Sequence, residues 1–174
     1  MLPQIICSAV IGLSFFPRSA TICKHAETVV QASEENNLEP TLLIALIGVE
    51  SNWKSTAVSK ARACGLTQVM EKYSKHTCKQ LTNNPKLSIK EGAKKLSFWL
   101  YKYGKGNIKV GLCGYNAGFR CKGKNPNKQG MSYARKVLKY KKQLDEAIEK
   151  KKNEEAKNEQ GCDRIFLRVG SFCF

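Results

Sequence analysis

The order of apolar and polar residues along the chain predicts a succession of helices. Apolar residues recur at helical spacing from about Ile22 to Asn36. A second helix is predicted to open at Glu39-Pro40, because proline fits the first position of a helix. Its body, residues 42–49, is apolar on every side, which is typical of a helix buried in a core. This helix ends at Glu50-Ser51, so a carboxyl group directly follows a buried segment.

Further helices are predicted in the second half of the chain. Ser88 and Glu91 fit a capping box at the start of a helix, and apolar residues continue from there at helical intervals to Gly104. Asn107 is predicted to cap another helix, which runs to Cys113. Together these segments predict a mainly α fold with at most a small β element.

The two ends of the chain differ in composition from its centre. Residues 1–21 are apolar around Ile5 to Phe16 and resemble a secretory signal, although no Lys or Arg precedes the apolar run. The alternative is an uncleaved hydrophobic arm that packs on the domain. A long helix is predicted from near Ser132; it becomes nearly all charged beyond Lys150, and residues 164–169 alternate as a short strand would. We therefore expect three regions: a hydrophobic segment (1–21), a central domain (22–144) and a charged, cysteine-containing extension that is a basic helix or tail (145–174).

The charge of the chain limits the classes of partner. The 174 residues include 30 Lys and Arg against 14 Asp and Glu, a formal net charge of +16. Such a charge favours nucleic acid, an anionic membrane surface or an acidic cell-wall polymer. The charge alone does not choose among them, but the aromatic residues between 98 and 103 fit a helix core better than a stacking platform, which argues against nucleic acid. No stretch of about 20 apolar residues predicts a membrane span.

Eight cysteines indicate either disulfide bonds in an oxidising compartment or a metal site. The sequence has no paired C-x-x-C, and the C-x-H spacings at Cys23-Lys24-His25 and His76-Thr77-Cys78 are too tight for the usual zinc patterns. We therefore expect disulfides and no metal. The candidates are the local pairs Cys64/Cys78 and Cys113/Cys121, together with Cys162 and Cys173.

Carboxylates are rare in the part of the central domain that follows Glu39. Between Pro40 and Leu144 the sequence has only Glu50, Glu71 and Glu91. The capping box accounts for Glu91, and Glu71 lies among lysines, which favours a surface role. Glu50 is the exception, because a carboxyl at the end of a buried helix loses hydration, and this raises its pKa towards the range of a general acid. The alternative is a helix-end glutamate that reaches solvent or pairs with a lysine.

Four short motifs follow one another in the central domain: Glu50-Ser51, Gly65-Leu66-Thr67-Gln68, Gly114-Tyr115-Asn116-Ala117-Gly118 and Tyr133. With them the sequence resembles the lytic transglycosylases of glycoside hydrolase family 23, the soluble-lytic-transglycosylase (SLT) domain type, over roughly Ile22 to Leu144. That family shows Glu-Ser after an apolar helix, then Gly-Leu-Met-Gln, Ala-Tyr-Asn-Ala-Gly and a late Tyr. This chain departs from the pattern at Thr67, where Met is usual, and at Gly114, where Ala is usual.

The resemblance implies a lysozyme-like helical fold and a site without cofactor or metal. It implies that Glu50 is the sole catalytic acid/base and that Tyr115 hydrogen-bonds it. The substrate-binding residues that it implies are Ser51, Ser59, Gln68, Met70, Tyr115, Asn116 and Tyr133.

The implied reaction is cleavage of the bond between N-acetylmuramic acid and N-acetylglucosamine in peptidoglycan. Ordinary glycosidases use two carboxyl groups, so a site with one must borrow a group from the substrate, and the product is a 1,6-anhydro sugar. The implied partners are peptidoglycan strands and a phage virion or a secretion or conjugation assembly, with action in the periplasm. Two alternatives stay open: hydrolysis as in goose-type lysozymes, and a basic virion component that binds wall or DNA without cutting it.

Overall fold

A computed structural model describes residues 2–14 and 16–169 of the chain, with side chains given up to residue 157. The prediction of a mainly helical fold is confirmed, because the described residues form seven α-helices and one sheet of two short strands. The helices are α1 (Leu2–Val10), α2 (Ser19–Glu34), α3 (Pro40–Ser51), α4 (Cys78–Asn83), α5 (Pro85–Ser97), α6 (Ile108–Ala117) and α7 (Lys128–Val169). A 3-10 helix (Glu71–Tyr73) and a π-helix (Phe98–Tyr103) complete the helical segments.

The sheet is an antiparallel pair between α3 and α4. Strand β1 (Ala63–Cys64) pairs with β2 (Val69–Met70), and Ala63 lies opposite Met70. The four residues between the strands form a tight turn, so the short sheet serves mainly to hold this turn beside the end of α3.

Helix α3 is the centre of the core, as its sequence predicted. Residues 42–48 are all buried, and α2 and α7 pack against the helix. Gly48 allows one of these contacts, because a Cβ at this position would lie 2.6 Å from the ring of Phe16. The apolar surface of α3 is therefore covered on all sides, which fixes the place of the glutamate at its end.

The predicted start of α5 is wrong. Ser88 and Glu91 form no capping box but lie in the interior of a helix that begins at Pro85. Asn84 caps this helix through its side chain, and proline follows at the first helical position. Asparagine is among the strongest N-caps and proline fits the first turn, so this pair outcompetes the serine.

The segment that was predicted to continue as one helix to Gly104 changes to a π-helix at residues 98–103. Asn107 caps α6 as predicted, since its Oδ1 accepts a hydrogen bond from the N–H of Val110 at 3.1 Å. The helix continues to Ala117, beyond the predicted end at Cys113. The Tyr115-Asn116 motif therefore lies on a helix rather than in the loop after it.

Helix α7 begins at Lys128, a turn earlier than predicted, and packs against α3 and α6. The short strand predicted at residues 164–169 is wrong, because α7 continues through them to Val169. Residues 145–160 are rich in Lys, Glu and Ala, which are strong helix formers, and the helix is propagated by them.

The N-terminal segment packs on the rest of the fold. Ile6, Ala9 and Val10 of α1 are buried, and α1 contacts α2 and α7. A disulfide joins Cys7 to Cys23 of α2. No helix in the described part of the chain is long and apolar enough to span a membrane.

The prediction of disulfide bonds is confirmed. Cys64 is joined to Cys78, and Cys113 to Cys121. The third bond was not foreseen: it uses Cys23, which had been considered only as a metal ligand. The side chain of Cys162 and all of Cys173 lie outside the described residues.

Candidate active site

Glu50 lies in the last turn of α3, where the buried helix leaves the core. The helix stops at Ser51 because Asn52 adopts a left-handed conformation, with φ of 50°, and its N–H donates to the carbonyl of Gly48 at 3.1 Å. The side chain of Glu50 is partly buried. Its carboxyl group is therefore held at the border between the apolar core and solvent.

The carboxyl of Glu50 accepts a hydrogen bond from Tyr133 of α7, whose hydroxyl lies 2.6 Å from Oε1. Burial raises the pKa of Glu50 to about 7, and the bond from Tyr133 opposes this rise because it favours the ionised form. Burial, and after it the charge of Glu50, raise the pKa of Tyr133 well above its ordinary value, so the phenol remains a neutral donor. A carboxyl with a pKa near neutrality can both give and take a proton at physiological pH, as an acid/base catalyst must.

The prediction that Tyr115 hydrogen-bonds the acid is wrong. Its hydroxyl donates to the backbone carbonyl of Thr67, at 2.7 Å. Tyr115 still lies within electrostatic reach of Glu50, since burial and then the charge of Glu50 raise the pKa of the tyrosine well above its ordinary value. Tyr115 thus ties α6 to the turn between the strands, whereas Tyr133 contacts the acid.

The turn of residues 65–68 is held by hydrogen bonds from two of the predicted substrate-binding residues. Ser51 Oγ donates to the carbonyl of Leu66 at 2.8 Å, which connects the end of α3 to the turn. Gln68 has φ of 50°, and its Nε2 donates to the carbonyl of Gly65 at 3.0 Å. Both side chains hold backbone, so they determine the shape of the turn beside Glu50.

Thr67 stands where the SLT pattern usually has Met, and its surroundings explain the exchange. Its Oγ1 donates to the backbone carbonyl of Ser88 at 2.7 Å, and its own N–H donates to the Ser88 hydroxyl at 3.3 Å. Gly92, one turn further along α5, leaves the necessary space, because a Cβ there would lie 2.2 Å from Cγ2 of Thr67. All three residues are buried. Two residues of α5 therefore accommodate the threonine: Ser88 bonds it and Gly92 leaves room for its methyl group.

Gly114 stands where the SLT pattern usually has Ala, and here aromatic rings of the π-helix take the space. A Cβ on Gly114 would lie 2.5 Å from the ring of Trp99 and 2.9 Å from that of Tyr103. Both departures from the pattern thus reflect packing behind the site.

The remaining predicted substrate-binding residues lie at different places around the turn. Ser59 closes the loop before β1, since its Oγ accepts a hydrogen bond from the N–H of Ala63 at 3.0 Å. Met70 lines a surface cavity whose walls do not include Glu50. Asn116 is exposed on α6. The structure does not bring these three side chains into contact with the acid, and their roles towards substrate stay predictions.

The two other carboxylates between Pro40 and Leu144 have cationic partners of their own. Glu71 is bonded to Arg62, whose Nη2 lies 2.7 Å from Oε2, and Glu91 lies 3.4 Å from the Nζ of Lys94. In the described part of the chain, burial raises the pKa of Glu50 against the bond from Tyr133, and no second carboxylate contributes. The described residues also contain no group of three or more His, Cys, Asp or Glu that could hold a metal ion.

Sequence reasoning missed Ser88 as a residue that supports the site. It was interpreted as a helix cap, whereas its buried hydroxyl and carbonyl hold Thr67. The signal that could have found it is Asn84-Pro85, a cap followed by a first-turn proline, which places Ser88 in the interior of the helix.

Comparison with known proteins gives two findings. A family model described as the transglycosylase SLT domain matches residues 27–138. The fold is similar to the X-ray structure of an inactive glutamate-to-glutamine mutant of the lytic transglycosylase Slt from Pseudomonas aeruginosa, with a TM-score of 0.59 and 22% sequence identity. The match covers 79% of this chain but only 29% of that chain, so this chain is similar to less than a third of the larger protein. The shared part has the lysozyme-like fold.

Proposed function

This chain belongs to the transglycosylase SLT domain family, and on that premise we propose that it is a lytic transglycosylase that cuts the glycan strands of peptidoglycan. The observation that carries the proposal is the partly buried carboxyl of Glu50, which is bonded to Tyr133 at 2.6 Å and has its pKa raised to about 7. This is the protonation behaviour that a single acid/base requires.

The first step uses the protonated form of Glu50. Its carboxyl gives the proton to the oxygen that links N-acetylmuramic acid to N-acetylglucosamine, and the bond from this oxygen to C1 of the muramic residue breaks. The oxygen of the muramic N-acetyl group stabilises the cationic C1, because among the described residues no second carboxylate contributes to the pKa of Glu50. Substrate assistance of this kind is a known exception to the two-carboxyl mechanism.

The second step uses the ionised form that the first step leaves behind. Glu50 takes the proton from the C6 hydroxyl of the same muramic residue. The C6 oxygen then forms a bond to C1, which closes the 1,6-anhydro ring. The carboxyl is protonated again and no water is consumed. Between the steps the hydrogen bond from Tyr133 stabilises the carboxylate, as expected for a donor that favours the charged form.

The test compares two glutamates of the central domain. Purified sacculi are digested with the wild-type chain, with Glu50→Gln and with Glu71→Gln, and released fragments are measured by mass spectrometry. We expect release to be lost in Glu50→Gln and kept in Glu71→Gln, whose side chain bonds Arg62 rather than the site. Undiminished release by Glu50→Gln would refute the proposal, and reducing ends in place of anhydro ends would favour hydrolysis.

We propose further that the protein acts outside the cytoplasm, in the periplasm. The support is its disulfides, which persist in oxidising compartments, and a family whose substrate is the cell wall. The proposed context is a machine that crosses the wall, either a phage virion at DNA entry or a secretion or conjugation apparatus. Co-purification of the tagged chain with such particles tests this part.

We propose a central catalytic domain at residues 22–144, with 1–21 as an arm that stays attached and 145–174 as an extension. The support for the arm is the bond of Cys7 to Cys23 and the burial of Ile6 and Val10. The intact mass of protein recovered from the periplasm tests this, because removal of a signal would delete α1 and the partner of Cys23.

A further inference from the structure

The positive charge of this chain is concentrated in one part of it. From Gly92 to Leu144 the sequence has 14 Lys and Arg and no Asp or Glu. The rest of the chain has 16 basic and 14 acidic residues and is nearly neutral. The basic part contains the π-helix, α6, the loop after α6 and the start of α7. A charge that is so unevenly distributed indicates a binding surface rather than a general device for solubility.

An aromatic side chain is exposed within this basic part. Phe119 follows the end of α6, and 72% of its surface is accessible. Its ring centroid lies 4.9 Å from that of Trp99 and 5.4 Å from that of Tyr103, and these two rings contact each other. The ring of Phe119 therefore packs against two others and still leaves most of its surface accessible.

The loop that carries Phe119 is tied down at several points. The disulfide Cys113–Cys121 joins it to α6, and the N–H of Cys121 donates to the hydroxyl of Tyr103 at 3.0 Å. The Nζ of Lys122 lies 4.4 Å from the centroid of the Tyr103 ring. Because the loop is already ordered, a ligand that binds it loses little of its affinity to ordering the loop.

The cations beside this ring are available to a ligand. Arg120, Lys122 and Lys124 are all exposed, and none has a carboxylate partner within the described residues. By contrast, Lys141 and Lys142 of α7 are paired with acidic residues.

We propose that Phe119, Arg120, Lys122 and Lys124 form an anchoring surface for peptide-bearing glycan, separate from the bond that is cut. A pyranose ring stacks its C–H face on Phe119, and carboxylates of the peptides along the strand bind the three cations. Successive bases of a nucleic acid need several faces for stacking, whereas neither ring that contacts Phe119, that of Trp99 or that of Tyr103, is exposed. The identity of the ligand rests on the proposed function; the surface itself does not.

The test measures binding without turnover. The full chain with Glu50→Gln is mixed with purified sacculi, and the bound fraction is measured against protein concentration and salt. Adding Phe119→Ser is expected to weaken binding roughly tenfold, whereas Phe119→Tyr restores it. Arg120→Gln with Lys122→Gln is expected to flatten the salt dependence, and to have no further effect on sacculi from which an amidase has removed the peptides.

The matched control is Tyr73→Ser. Tyr73 is 62% exposed and has the Nζ of Lys72 4.8 Å from its ring centroid, but it lies in the part of the chain that carries acidic residues. We expect this variant to bind sacculi like its parent. Equal binding of sacculi by the Phe119→Ser and Tyr73→Ser variants would overturn the proposal. So would binding to DNA or anionic vesicles that depends on Phe119, if binding to sacculi does not depend on it. Because no turnover is measured, failure of the enzymatic proposal alone would leave this result intact.

Discussion

Glu50 and Glu71 show how differently one fold can treat the same side chain. Glu71 accepts hydrogen bonds from Arg62 and from the backbone N–H of Cys78, at 2.7 and 3.0 Å, and these donors lower its pKa. Glu50 lies at the end of a buried helix, and burial raises its pKa to about 7 against a hydrogen bond from the neutral Tyr133. Burial therefore decides the chemistry of Glu50, whereas an arginine and a backbone donor decide that of Glu71.

The comparison shows that a carboxyl becomes a general acid when it is buried and when no cation is bonded to it. An arginine at the distance that Arg62 keeps from Glu71 would hold Glu50 ionised at neutral pH and leave it no proton to give. The basic charge of the chain is large, yet no lysine or arginine is among the causes of the pKa shift of Glu50.

The largest expected effect is on activity. Glu50→Gln removes the group that gives and takes the proton, so glycan release should fall by about 100- to 10,000-fold, the usual contribution of general acid–base catalysis. Glu71→Gln should keep release within about twofold of wild type, because its carboxylate is engaged with Arg62 away from the acid. Initial rates of turbidity loss in a sacculus suspension provide the measurement. Comparable losses in the two variants would abolish the distinction between the glutamates.

The next effect is on stability and has opposite signs for the two residues. The folded-state pKa of Glu50 is about 7 against an ordinary value of 4.5, so the folded protein binds the proton more tightly than the unfolded chain does, and wild-type stability falls as pH rises between these values. Glu50→Gln has no such cost and should be more stable than wild type at pH 8, by up to about 3 kcal/mol. The lowered pKa of Glu71 instead gives stability that is lost as pH falls. Urea unfolding at pH 5 and pH 8 measures both; a Glu50→Gln variant without a gain at pH 8 contradicts the raised pKa.

The third prediction separates the two tyrosines. Tyr133→Phe removes the hydrogen bond that stabilises the carboxylate, so the pKa of Glu50 should rise and the alkaline limb of the activity–pH profile should move to higher pH. A bond to a charged group contributes about 1.5–3 kcal/mol, so activity should fall roughly 10- to 100-fold. Tyr115→Phe loses a bond to a backbone carbonyl and should leave the limb in place. If the alkaline limb moved in Tyr115→Phe and not in Tyr133→Phe, Tyr115 rather than Tyr133 would be the tyrosine that bonds Glu50.

The smallest effect concerns the turn beside Glu50. Thr67→Val removes the buried bond to the carbonyl of Ser88 and should cost about 1–3 kcal/mol of stability. Without this bond the backbone carbonyl of Thr67, which accepts the bond from Tyr115, should shift, and activity should fall a few fold. The control is Thr82→Val, which loses a bond within α4 and should keep full activity. Thermal unfolding and sacculus digestion of both variants provide the comparison, and equal behaviour of the two would show that the turn needs no support from α5.

The features that the sequence predicted are those with a local cause. The apolar helix that ends in Glu50 and the cap at Asn107 each follow from residues within one or two turns, and the structure confirms both. The bond between Cys64 and Cys78 closes a short loop and was a candidate for the same reason.

The features that it could not predict depend on how distant elements meet. Which tyrosine reaches the acid is decided by the packing of α6 and α7 against α3, and either phenol fits the motif order. The disulfide between Cys7 and Cys23 needs α1 to fold back on α2, which a signal-like composition conceals. Ser88 supports Thr67 only because α5 lies against the turn.

The most direct measurement is digestion of sacculi by the wild-type chain in water enriched in heavy oxygen, followed by mass spectrometry of the fragments. If Glu50 alone gives and takes the proton, every new muramic end is a 1,6-anhydro ring, lighter by one water than its reducing counterpart and free of label. Reducing ends that carry one heavy oxygen for each bond cut would show that water attacks C1, which would contradict ring closure by a single carboxyl.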